Sequence, residues 1–400
     1  MDEELDIFEY FGIPVVINAC GTNTRLSNGI MAPEVARAMA AASFACVNLV
    51  DLQAASSRVI SDITGAEAGI VTCGASAAVL LGAAACMAGL DPAAMNQLPD
   101  ADGLRHEFIV IRSQRNMYDR AIRVAGGTVK EIGIPDRYSG TGVRDVLPWE
   151  IEAALSERTT AIYYLAQPQS LPPLGAIVEV ARAAQIPVIV DAAAQLPPAE
   201  NLRRFIAEGA DLVAISGGKA LGGPPASGLL FGREKLISSA LIQMIDLDLA
   251  PEQWTCTGEF RSLSQMRGLP HHGVGRSCKV GKQEVIGLLM ALRMFVAESS
   301  ETRTDRWVSR LEAVLAALPA GADYRAEIVP SGSKPGLPLL KLQFPSSERA
   351  AEVDGKLRVH LPPVHLDASR VRQGVLAVNP IALRDEDVPQ LCGAISATCS

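Results

Sequence analysis

The chain lacks any excess of positive charge. Its 36 lysines and arginines stand against 44 aspartates and glutamates, a formal net charge of −8 over 400 residues. A balance this acidic gives no broad electrostatic footprint for nucleic acid or anionic lipid. It also lacks an apolar run of membrane length. The most hydrophobic stretch, Ala75 to Leu90, falls short of the roughly 20 residues a spanning helix needs, and its alanines and glycines fit a buried helix better. The opening MDEELDIFEYFG has neither the basic nor the apolar region of a secretory signal. The eight cysteines, at 20, 46, 73, 86, 256, 278, 392 and 399, form no CxxC pair and no ladder of short spacings. Scattered thiols of this kind suggest a reducing, cytoplasmic setting rather than a disulfide framework. There is no internal repeat and no low-complexity tract.

What is present is apolar material, 48% of residues against 20% charged, enough for a large buried core. At this length, one large domain with a smaller partner is the natural prior. From about Ser56 to Gly232, short β-rich runs alternate with helical stretches. The strand candidates are AGIVT (68–72), EFIVI (107–111), TVKEI (128–132), TAIYYL (160–165), PVIVD (187–191), DLVAI (211–215) and SGLLF (227–231). Several are continuously apolar, as strands covered on both faces must be. Between them, stretches such as SAAVLLGAAACMAG and GAIVEVARAAQ carry helical spacing. The alternation predicts a doubly wound, mostly parallel α/β domain over 51–290, with ligands at the C-terminal strand ends. Residues 1–50 are expected to serve the active site and the small domain, and 291–400 to form a small α+β domain. Residues 91–105, polar and carrying two prolines, read as a surface excursion. Residues 246–281 read as loop-rich, followed by a helix from about Gln283 to Glu298.

Two segments carry the chemistry. PVIVDAAAQ (187–195) ends a buried strand in Asp191, and DLVAISGGKALGGPP (211–225) ends the next in Ser216, two glycines and Lys219. Asp191 alone could merely cap a following helix, and Lys219 alone could be solvated. Together they suit pyridoxal phosphate, which needs a lysine for its aldehyde and an acid for its pyridinium nitrogen. Lys219, once released by substrate, can act as base or acid at Cα. Upstream, Cys73-Gly74-Ala75-Ser76 links a strand to a helix. That is either an ordinary serine cap or, with its backbone N–H groups, a cradle for the cofactor phosphate.

The order of GTNTR (21–25), LQAASSRVISDITGAEAGIVTCGASAA (52–78), RNMYDRAIRVAGG (115–127), VIVDAAAQLPPAENL (188–202), ISGGKALGGPPASGLLFGR (215–233) and HHGVGRSCKVGKQEVIGLL (271–289) resembles one family. It is the selenocysteine synthase-like group of fold-type I pyridoxal-phosphate enzymes, which includes L-seryl-tRNA(Sec) selenium transferases and D-glucosaminate-6-phosphate ammonia-lyase-like proteins. The resemblance spans roughly 12–290. It implies a Schiff base at Lys219, the pyridinium partner at Asp191 and phosphate contacts from Gly74, Ala75, Ser76 and Ser216. It also gives roles to His272 in catalysis, Gly275 and Lys279 at the cofactor, and Arg276 and Arg25 at the substrate. In such enzymes a neighbouring subunit often completes the site, so a homodimer or larger assembly is implied. Many relatives carry a histidine before RNxYD that can stack on the cofactor. Here Gln114 stands near that position, and its amide can cover the ring or hydrogen-bond to it but cannot stack as an aromatic.

These residues fix a Cα carbanion and not its fate. The reading favoured is α,β-elimination from a small amino acid. Racemisation or epimerisation, C–C cleavage, selenium transfer and a non-catalytic cofactor-binding role are the alternatives. Transfer to tRNA ranks lowest, because the catalytic pattern starts within the first two dozen residues and the net charge is unfavourable.

Overall fold

The computed structural model describes residues 6–134, 146–255, 258–319, 323–331 and 337–399; Cys256 and the first five residues of the acidic N-terminus lie outside them. Twelve strands are named in chain order among the described residues. They are β1 (Ile17–Ala19), β2 (Ala68–Thr72), β3 (Glu107–Ile111), β4 (Thr128–Ile132), β5 (Thr159–Leu165), β6 (Val188–Asp191), β7 (Leu212–Ser216), β8 (Gly228–Gly232), β9 (Arg325–Pro330), β10 (Pro338–Gln343), β11 (Val364–Leu366) and β12 (Val375–Val378). The chain divides into two compact units, Ala32–Val296 and Met1–Met31 with Ala297–Ser400. Residues 32–50 therefore group with the larger unit.

The larger unit is built on a seven-stranded sheet in the order β2-β8-β7-β6-β5-β3-β4. All seven predicted strands form, each within a residue or so of its expected bounds. Neighbouring pairs run parallel except those of β8, which is antiparallel to both β2 and β7. Every residue of β2, β3, β6 and β8 is buried, which is why these strands read as unbroken apolar runs rather than alternating ones. The Ala/Gly-rich stretch forms the helix Ala75–Ala88, buried along most of its length. Side chains this small let a helix lie close on the sheet. Segment 91–105 departs from the surface excursion expected of it. Asp91 caps a short helix, Pro92–Gln97, and Ala94, Met95, Leu98 and Ala101 are buried in the main core. Its polar residues mask four inward-facing apolar ones.

The smaller unit has its own core around Leu340, Leu342, Val353, Leu376, Leu391 and Ile395. In it β10 lies between β9 and β12, antiparallel to both. A separate parallel pair joins β1 to β11, neither of which had a clear strand signal at three residues each.

The edge strand β2 matters for function because it leads into the turn at Gly74. A sheet edge presents unpaired backbone groups. Here the helix Leu49–Thr64 covers them with polar side chains. Gln53 Nε2 donates to Val71 O at 2.9 Å, Val71 N donates to Gln53 Oε1 at 2.9 Å, and Gly69 N donates to Ser57 Oγ at 3.1 Å. Gln53 and Ser57 are both buried, so one amide side chain imitates a missing strand. Gln53→Leu leaves a buried N–H and a buried C=O unpaired and is expected to lower stability by roughly 2–4 kcal/mol. A urea midpoint equal to that of the parent protein would show that these groups have other partners.

Candidate active site

Asp191 closes β6 and is buried at 4% exposure. Its Oδ1 accepts from Ala193 N at 3.0 Å, and the next helix begins only at Asn201, so it is not a helix cap. Its Oδ2 accepts from the hydroxyl of Tyr163 at 2.7 Å. The register explains this bond: Tyr163 pairs with Ile189 and Leu165 with Asp191, and side chains two apart share a sheet face. Tyr163 therefore stands diagonally beside Asp191 and reaches it along the strand direction. Burial pushes the Asp191 carboxyl up, while the Tyr163 hydroxyl, the Ala193 amide and the charge of Lys219 pull it down. Tyr163 was not anticipated from the sequence. The signal was there, since a tyrosine inside a buried parallel strand needs a partner for its hydroxyl.

Lys219 follows β7, the neighbour of β6. Gly217 N donates to Ser227 O at 2.8 Å and Gly223 N to Gly217 O at 2.9 Å, and Gly222 N returns to Lys219 O at 2.9 Å. These bonds fold the glycine-rich loop into a tight turn that leaves the lysine half-buried. Burial draws its ammonium below the ordinary lysine range, and the charge of Asp191 opposes the shift. An amine lowered in this way is more often deprotonated and better able to attack a carbonyl. Ser216, half-buried, ends β7 at the same strand terminus.

The strand β2 runs in the direction of β6 and β7, since both β2 and β7 are antiparallel to β8. Its C-terminal end therefore faces the same side of the sheet as Asp191. There Gly74, at φ 128° and ψ 164°, caps the helix Ala75–Ala88 with no side-chain hydrogen bond. Only glycine takes that backbone readily. Ser76 is exposed and is not the cap, so the ordinary serine-cap alternative is excluded. Among the described residues, no side chain caps the start of this helix, an arrangement suited to an anion. Gly228, at the start of β8, lies so close that a Cβ there would sit 2.5 Å from the Gly74 carbonyl carbon and 2.7 Å from Ala75 N.

The segment Val274–Cys278 packs against the same helix: a Cβ on Gly275 would come within 2.3 Å of the Leu81 side chain. Cys278 lies near Cys73, the residue before Gly74, and the interaction of the two thiols draws Cys278 down and pushes Cys73 up. Arg276 pairs with Asp246 at 2.7 Å. With exposed Lys279 it lines a cavity of about 520 Å³ that Gln53 and Glu284 also border. His272 Nε2 accepts from Leu247 N at 3.4 Å and stands 3.9 Å from Asp248. Gln114 is buried with its amide committed to backbone, donating to Leu171 O at 3.2 Å and accepting from Leu165 N at 3.1 Å. It thereby braces the end of β5 beside Asp191. Arg25 belongs to the smaller unit, exposed on a short turn capped by Asn23.

Comparison with known proteins agrees with this geometry. The family model described as L-seryl-tRNA selenium transferase matches residues 16–248. D-glucosaminate-6-phosphate ammonia lyase from Salmonella typhimurium is 29% identical over 386 residues, covering 94% of this chain and 93% of its own. A 5'-C-glycyluridine monooxygenase-decarboxylase from a Streptomyces species is 28% identical over 389 residues, covering 94% and 88%. A solved structure of D-glucosaminate-6-phosphate ammonia-lyase superposes with a TM-score of 0.78 at 26% identity, covering 99% of each chain. The chain thus belongs to the L-seryl-tRNA selenium transferase family, and is a pyridoxal-phosphate-dependent enzyme of fold type I.

Proposed function

We propose that the protein removes the β-substituent and the amino group from a small hydroxylated amino acid, giving a 2-oxo acid and ammonia. The observation that carries this reading is the half-buried Lys219 set against buried Asp191 at the end of neighbouring strands, in a chain similar along nearly its whole length to an ammonia lyase.

The residues present fit pyridoxal phosphate. Asp191 offers a buried carboxylate whose raised pKa asks for a cationic partner. Lys219 offers an amine with depressed basicity. The uncapped helix start at Gly74, Ala75 and Ser76, with Ser216 nearby in the fold, offers an anion site. When bound, the cofactor supplies an aldehyde for the substrate amine and a protonated ring that withdraws electrons from Cα. Lys219 Nζ then takes the Cα proton, and its ammonium gives a proton to the departing β-hydroxyl, which leaves as water. The released enamine rearranges to an imine, and its hydrolysis consumes that water again and frees ammonia. Arg25 and Arg276 are assigned to substrate anions, Lys279 and Gly275 to the cofactor side, and His272 to proton transfer. Gln114 is assigned a contact beside the ring through the β5 end it braces. A substrate without phosphodiester charge accords with the net charge of −8.

A panel of D- and L-hydroxy amino acids, followed for ammonia and 2-oxo acid, tests the reading. At least one member should release both products, and Lys219→Ala should lower that rate at least about a hundredfold. Loss of optical rotation without ammonia makes the protein a racemase instead, and carbon dioxide release aligns it with the decarboxylase relative. Product formation undiminished in Lys219→Ala would reject the mechanism.

We also propose that the active unit is a homodimer or larger. In the larger unit Phe44 is 90% exposed, with Val47, Leu49, Met117 and Tyr118 exposed as well, and large apolar side chains left in water are often covered in an assembly. Light scattering should give a mass at least twice the 42.2 kDa chain; a monomer would contradict it.

A further inference from the structure

The turn Arg115–Asp119 lies between β3 and β4 of the larger unit. It is tightly built. Asn116 Oδ1 accepts from Tyr118 N at 2.7 Å, and Asp119, fully buried, accepts from Asn116 N at 3.3 Å. Arg115 grips Asp119 through Nε and, at 3.3 Å, through Nη2, and it also pairs with Glu131. With its oxygen committed to the turn, Asn116 is one of the polar neighbours of the Tyr163 phenol. The phenol donates to Asp191 Oδ2 at 2.7 Å. A hydroxyl has one proton, and that of Tyr163 is given to the carboxylate.

We infer that Tyr163 is a positioning residue that holds Asp191 in its ionised form and so keeps the shared proton on the cofactor ring nitrogen rather than on the carboxylate. The inference rests on Asp191 being the partner of that nitrogen. In a buried site the proton between a carboxylate and a pyridine nitrogen can sit on either. Every hydrogen bond donated to the carboxylate favours its anion and leaves the proton with nitrogen. Only two such bonds reach Asp191 among the described residues, from Tyr163 and Ala193. The Ala193 donor is backbone, so Tyr163 is the one that a side-chain change can remove.

The test uses full-length protein loaded with ¹⁵N-labelled pyridoxal phosphate, reading the ring ¹⁵N resonance and the cofactor dissociation constant. Tyr163→Phe should move the resonance from the protonated toward the unprotonated position and weaken binding about tenfold. Asp191→Asn serves as reference. If it leaves both readouts at parental values, the assignment of Asp191 itself fails. If Asp191→Asn changes both while Tyr163→Phe leaves the resonance in place, Asp191 stands and the inference about Tyr163 is overturned. Weaker binding with an unshifted resonance also overturns it, since that is the signature of packing alone.

Discussion

A carboxylate out of reach of water is the constraint on which this site depends. Removing Asp191 from solvent costs several kcal/mol in its ionised form unless donors and an opposing charge replace hydration. The protein supplies a phenol from β5, a backbone amide from the turn that follows and a lysine from beyond β7. Each comes from a neighbouring part of the sheet's C-terminal side. The carboxylate can therefore be this buried only if β5, β6 and β7 lie side by side in register, which ties the chemistry to the topology.

The antiparallel strand β8 completes the arrangement. By lying between β2 and β7 it lets β2 run parallel to the catalytic strands while remaining on the far side of the sheet. The turn at Gly74 is thereby brought to the side where Asp191 and Lys219 stand. Gly228 permits the close approach this demands, since a side chain there would strike the turn backbone. Gln53 and Ser57 hold the edge from the other side, so the position of the strand leading into the turn is fixed by side-chain hydrogen bonds to its backbone. A site held this way is preorganised, and little of the binding free energy is lost in ordering it.

Much of this was legible in the residues themselves. The seven large-unit strands announced themselves because burial on both faces demands continuous apolar runs. Asp191 and Lys219 stood out because polar residues ended those runs on successive strands. The misses have physical causes too. The strands β1 and β11 are three residues each, too short for any periodicity. Segment 91–105 hides Met95 and Leu98 among prolines and acids. Tyr163 went unnoticed because its role lies in a cross-strand diagonal that appears only when register is known. Gln114 was legible as a polar residue at a critical place, but its partners are the backbone at Leu165 and Leu171, 51 and 57 residues away, and no local pattern points to them.

The central claim is that Lys219 carries the cofactor. Borohydride reduction of the purified, cofactor-loaded protein followed by peptide mapping tests it most directly. The account predicts one stable pyridoxyl adduct, on the peptide containing Lys219, with the visible absorption lost on reduction. An adduct on Lys279 or Lys282 at the neighbouring cavity, or a protein that takes up no pyridoxal phosphate, would contradict it.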